Sequence, residues 1–169
     1  LSSLNQINAK RNWLQSVFLG QAKAEPKEWL EPMQIDSWGY RRKARLGVRY
    51  VAKKGKVLVG FRERKSSFIT VMSRCEVLHP SLGDNLDILS ECIEKLSIKE
   101  HVPQIEVAIA EKDTILILRH LEPLSDSDEE TLINYAQQLS VTWYTQSGGL
   151  DTIKPLTNPV QLSSSIPEH

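Results

Sequence analysis

The sequence predicts an α+β fold, a mostly antiparallel sheet with helices packed on it. Three observations carry that expectation. Apolar and basic residues alternate over positions 40–51, and period two is the mark of a strand with unlike faces. The turn Lys53-Lys54-Gly55-Lys56 then leads into a second apolar run over 57–61, which makes a hairpin. From Pro80 the period lengthens: Leu82, Leu86, Leu89, Ile93 and Leu96 recur as on one side of an amphipathic helix.

The elements follow in order. Positions 4–19 read as a helix, with Ile7, Leu14, Val17 and Phe18 near one face that is expected to be packed. Pro26 and Pro32 stop any continuation, so 22–37 is an irregular connector. In the 40–51 strand, Tyr40, Ala44, Leu46, Val48 and Tyr50 share one side, with Arg42 the exception. Arg41, Lys43, Arg45 and Arg49 share the other, with Gly47 among them. Positions 68–72 are expected to add a third strand. The 80–96 helix carries Pro80 in its first turn, and Cys92 beside its leucine stripe is a small core residue. Positions 104–110 and 114–120 are two strands joined at Glu111-Lys112-Asp113. Ser127-Asp128-Glu129-Glu130 fits a capping box with an acidic first turn. It opens a helix to about Leu139, with Leu132, Ala136 and Leu139 inward. Positions 141–146 form a last strand before Ser147-Gly148-Gly149, and the Ser-, Thr- and Pro-rich stretch after Lys154 reads as loop.

At 169 residues the chain suits one ordinary domain. With 40% hydrophobic and 25% charged residues it is not a disordered chain. No stretch approaches the roughly 18 apolar residues of a membrane helix, and no leader pattern opens the chain, so no membrane partner is expected. Leu1 stands where an intact chain would have Met, and the sequence reads as a piece of a longer protein. Cys75 and Cys92 make no disulfide framework, which suits a reducing, cytoplasmic setting. His79, His101, His120 and His169 share no ligand-type spacing.

Lys+Arg and Asp+Glu each number 21, yet the balance conceals a local excess. Between Trp38 and Lys65 stand eleven Lys or Arg and one acid, Glu63, a net charge of +10. Alternate residues on a strand stand about 6.6–6.8 Å apart along one face, a scale similar to the spacing of nucleic-acid phosphates. Each neutralised phosphate releases counterions, and arginine both forks to phosphate oxygens and stacks on bases. Arg41, Lys43, Arg45 and Arg49 are therefore the candidate RNA contacts. Trp38, Tyr40, Tyr50 and Phe61 lie among them and are either stacking platforms or core. The plainer reading is a solvated face whose charges keep a strand from aggregating.

Other chemistry is sparse. No Gly-rich dinucleotide or phosphate loop, no HExxH and no GxSxG occurs. His120, at a strand end, reads as a structural hydrogen-bonder. The acid run Asp126, Asp128, Glu129 and Glu130 reads as a helix start in preference to a metal site.

Five blocks in order then bring a family into view: Trp38-Gly39-Tyr40-Arg41-Arg42-Lys43-Ala44-Arg45-Leu46, Val59-Gly60-Phe61-Arg62, Ser66-Ser67-Phe68-Ile69, Cys75-Glu76-Val77-Leu78, and residues 118–125, beginning Leu118-Arg119-His120. Together they resemble the iron–sulfur-containing 23S ribosomal RNA (uracil-5-)-methyltransferases over about positions 4–149. The resemblance implies that positions 1–154 form the central α/β domain and 155–169 a loop or linker toward a methyltransferase domain. It implies an S-adenosylmethionine-dependent parent enzyme that methylates C5 of uracil 1939 in 23S rRNA by covalent catalysis from a cysteine. The S-adenosylmethionine loop and that cysteine have no match in this sequence, so the piece alone is expected to be inactive. The family also holds a [4Fe–4S] cluster, three of whose cysteines precede this region. Cys75 falls at the fourth, which makes it the expected cluster ligand, with Glu76 where the family usually has proline. The expected partner is 23S rRNA, and the expected state a monomer. The alternative is a non-catalytic RNA-binding or ribosome-associated module.

Overall fold

The computed structural model describes residues 2–66 and 68–156. Ser67, His169 and the expected terminal loop beyond Leu156 lie outside the described residues. The chain divides into two compact units between Ser37 and Trp38.

In the first unit, helix α1 (Ser3–Ser16) starts where the Ser2 hydroxyl accepts a hydrogen bond from the Asn5 amide at 3.3 Å. It ends in a π-type turn, Val17–Gln21. Residues 22–37 contain no helix or strand, in keeping with Pro26 and Pro32. Phe18 meets Trp29 edge to face, ring centres 5.8 Å apart, and Arg11 reaches Glu31 at 3.5 Å. The packed face expected of α1 is not found. None of its residues is buried, and Leu14 and Phe18 are exposed. Arg11 occupies the helical position between Ile7 and Leu14, so the apolar stripe is interrupted where a core would need it.

The second unit is a six-stranded sheet in the order β2-β1-β3-β4-β5-β6. Its strands are β1 (Lys43–Val51), β2 (Lys56–Gly60), β3 (Gln104–Ile109), β4 (Thr114–Arg119), β5 (Thr142–Gln146) and β6 (Ile153–Pro155). All neighbours are antiparallel except β4 and β5. Helix α4 (Asp126–Leu139) lies between those two in the chain and makes the crossover that parallel strands require. The fold is α+β, as the sequence indicates. Strand β6 supplies β5 with an antiparallel partner just ahead of the stretch expected to be loop, of which only Pro155 belongs to the strand.

Side chains on one sheet face form the core with the helices. Leu46, Ile105, Leu116, Leu118 and Trp143 are completely buried, as are Leu82, Leu86, Leu89 and Ile93 from the helical side. Both contributors follow their sequence periods, two for the strands and about 3.6 for the helix.

Three local expectations are corrected. The helix from Pro80 is broken into α2 (Pro80–Gly83) and α3 (Leu86–Glu94). The Gly83 carbonyl accepts from the Cys75 amide at 2.8 Å, and a Cβ on Gly83 would lie 2.7 Å from the carbonyl oxygens of Cys75 and Leu78. The 75–79 loop thus holds α2 at an angle its leucines do not reveal. Positions 68–72 form no strand; only Ile69 bridges to Arg62. This segment turns across the sheet instead, seating Ile69 over Gly47, where a Cβ would come within 3.1 Å of its Cδ1. Finally, the capping box of α4 is built on Ser125 with Asp128, not on Ser127.

Candidate nucleic-acid interface

The sheet face opposite the helices carries the basic residues of β1. Leu46, Gly47 and Val48 are all buried, Gly47 beneath Ile69, and on either side of that covered position Lys43, Arg45 and Arg49 are exposed on the second face. Arg41 lies just before the strand and is anchored through its backbone. Its amide donates to the Val77 carbonyl at 3.0 Å, and its carbonyl accepts from the His79 amide at 2.9 Å. Its guanidinium stands 5.6 Å from the centre of the Phe61 ring, a cation–π distance. The structure therefore brings three of the four candidates onto one strand face and fixes the fourth at its entrance.

Strand register adds residues that sequence reading missed. Glu106 lies directly across from Arg45, and Arg119 pairs with Gln104, itself opposite Gly47, so all share this face. The Arg45 Nη2 donates to Glu106 Oε1 at 2.8 Å and its Nε to the same oxygen at 3.1 Å. Gln104 Nε2 donates there as well, at 3.2 Å. Lys43, Arg45, Glu106, Ala108 and Ile117 line a groove of about 560 Å³ beside this pair. Arg119 had a usable signal, since it alternates with Ile117 in β4. Glu106 had none, because its pairing depends on the register of strands some sixty residues apart.

Of the aromatic candidates, Trp38 and Tyr40 are exposed, whereas Tyr50 and Phe61 pack against the core. His120 is buried, and its Nδ1 donates to the Glu122 carbonyl at 2.8 Å, the structural role expected of it. In the acid run, Asp128 is buried and occupied by hydrogen bonds, while Asp126, Glu129 and Glu130 are exposed on α4. Among the described residues, no three His, Cys, Asp or Glu side chains converge on a possible metal site.

Cys75 is half-buried in the 75–79 loop. Cys92 is sealed in the core, where burial pushes its thiol up to about 12. A cluster needs thiolates, so the described residues offer one candidate ligand and do not make a cluster site by themselves. No helix among them is long and apolar enough to cross a membrane.

The molecule is thus an α+β module with one basic sheet face, the class of surface that attracts polyanions. Comparison with known proteins sharpens this class. No family model matches the chain. It is 64% identical over 165 residues to the 23S rRNA (uracil(1939)-C(5))-methyltransferase RlmD of Vesicomyosocius okutanii, covering 98% of this chain and 38% of that protein. The RlmD proteins of Nitrosococcus oceani and Cupriavidus necator are 45% and 42% identical, covering 92% and 99% of this chain. The resemblance carried by the five sequence blocks is thus borne out: the chain is homologous to part of the RlmD methyltransferases. It spans between 35% and 38% of the length of these three relatives.

Proposed function

We propose that this chain is the central, RNA-contacting part of an S-adenosylmethionine-dependent 23S rRNA uracil-C5 methyltransferase. The observation that carries the reading is the basic second face of the sheet, in a chain so similar to part of RlmD. Lys43, Arg45 and Arg49 share one exposed strand face, where Lys43 and Arg49 meet phosphates and Arg45, paired with Glu106, presents the flat face of its guanidinium to the RNA. Arg41 stands at the entrance to the strand with its guanidinium against Phe61 and adds a fourth cation near this face.

Binding to an rRNA hairpin carrying the family's target uridine, measured across a salt series, tests the reading. Affinity is expected to fall steeply with salt, and the slope to flatten when Arg41, Lys43 and Arg49 are changed to alanine. Absence of binding, or a slope unchanged in that variant, refutes it. Methyl transfer from S-adenosylmethionine to the hairpin is expected to be absent for this chain alone.

Cys75 is assigned to the cluster as one of four thiolates, the other three coming from outside this chain. Its loop is held by the Cys75 amide to Gly83 and by the Gly39 amide to the Glu76 carbonyl at 2.7 Å, which supports a fixed ligand position. In the parent protein, Cys75→Ser is expected to lower bound iron and sulfide while Cys92→Ser leaves them unchanged. Equal iron content in Cys75→Ser and the unmodified protein overturns the assignment.

A further inference from the structure

The basic face contains one feature that phosphate neutralisation does not call for. Glu106 is a carboxylate set among cations, and the sheet holds it there: Arg45 opposes it in the β1–β3 register and donates to it twice, and Gln104 donates a third bond. All three bonds converge on Oε1. Among the described residues Oε2 has no such partner, and the groove beside the pair has room for a flat group of nucleobase size. Ala108 and Ile117 give it apolar lining, and Lys43 lines it as well.

We infer that this groove is a subsite for one unstacked nucleobase bearing an exocyclic amino group, read by Glu106. The inference rests on the RNA-binding reading above and deepens it. The Arg45 guanidinium, two-thirds exposed, offers a planar face for the base to stack on while its edge remains committed to Glu106. Lys43 takes the adjoining phosphate. Glu106 Oε2 accepts a hydrogen bond from the amino group, the pairing by which a carboxylate distinguishes cytosine N4. Uracil presents a carbonyl oxygen at that position, which the carboxylate repels. The cations give affinity without sequence preference, and the one acid supplies the discrimination.

Short single-stranded oligo(C) and oligo(U) RNAs separate these contributions, because their bases are nearly isosteric and differ at the group in question. The 169-residue chain is expected to bind oligo(C) about ten-fold more tightly than oligo(U), the effect of one hydrogen bond to a charged group. Glu106→Gln is expected to bring that ratio close to one, since an amide can pair with either base. Loss of a negative charge raises affinity for both RNAs, so the ratio is the diagnostic quantity. Arg45→Lys retains the charge, loses the fork that fixes Glu106, and is expected to lower the ratio as well. Thermal unfolding midpoints within a few degrees of the unmodified chain establish that the variants are folded; a variant that fails this is replaced by Glu106→Asp, which shortens the reach of the acceptor and is also expected to lower the ratio. A ratio near one in the unmodified chain, or one unmoved by folded Glu106 variants, overturns the subsite while salt-dependent binding leaves the RNA reading standing. Binding of neither RNA overturns both.

Discussion

Asp128 shows how a single side chain can hold two elements together. It is buried to 2% exposure and takes hydrogen bonds from the Ser97 amide at 2.6 Å and hydroxyl at 2.7 Å, and from the Ser125 amide at 3.0 Å and hydroxyl at 2.7 Å. Burial pushes its carboxyl up, but these four donors outweigh burial and leave it below its ordinary value. The unfolded chain therefore takes up the proton first as pH falls. The stability contributed is complete above the ordinary value of 3.8 and is lost as pH drops through the lower folded value. Asp128→Ala is expected to cost about 2–3 kcal/mol near neutral pH, since it removes a cap and leaves four donors without an acceptor. Denaturant titrations at several pH values should show the difference between the two proteins shrinking below about pH 4. A difference that is constant with pH would locate the cost in packing. The residue itself was legible as part of a helix start, but the choice of Ser125 over Ser127 was not. Both serines fit the local motif, and the contact that selects between them comes from Ser97, 31 residues away from Asp128.

Elements were legible where their period is regular and obscure where another segment sets their limits. The alternation in β1 and the leucine stripe of α3 each specify a buried face without outside help. The break between α2 and α3, and the failure of 68–72 to form a strand, both arise at close backbone approaches that only the folded chain creates. Gly60 is the sharpest of these. A Cβ there would stand 2.6 Å from the Thr70 carbonyl oxygen, a fixed backbone atom. Gly60→Ala is thus expected to destabilise the second unit by about 1–3 kcal/mol, with β2 or the 69–72 segment forced aside. Gly20→Ala, with nothing within 4 Å of the added carbon, should stay within about 0.5 kcal/mol of the unmodified chain. Urea unfolding of the two variants makes the comparison, and equal midpoints would refute the close approach. Leu89→Ala, a fully buried position on α3, serves as the core reference at about 2–5 kcal/mol.

For the whole molecule, charge and core are distributed unevenly along the chain. Positions 1–37 contain four basic and four acidic residues, so the excess of basic charge over 38–65 and the matching acidic excess beyond it both belong to the second unit. Within that unit Lys43, Arg45 and Arg49 project from one sheet face, while Lys95 is paired with Glu91 on the helical side. Asp87, Glu91, Asp126, Glu129 and Glu130 are exposed on α3 and α4, the helices that pack with the core. A polyanion approaching this unit is attracted at the sheet and repelled at the helices, which orients it before any contact forms. Every buried residue among those described also lies in the second unit. A chain beginning at Trp38 is accordingly expected to unfold cooperatively and to bind RNA with the same salt slope as the 169-residue chain. Changing Lys43 and Arg49 to alanine within it should reduce the slope by about 0.7 for each phosphate no longer neutralised. Changing Glu129 and Glu130 to glutamine should raise affinity at low salt through the general field and leave unchanged the preference between RNAs. If the shortened chain binds with a markedly lower slope, the first unit neutralises phosphates of its own despite its balanced composition, and Lys10 and Arg11 on α1 become the cations to test.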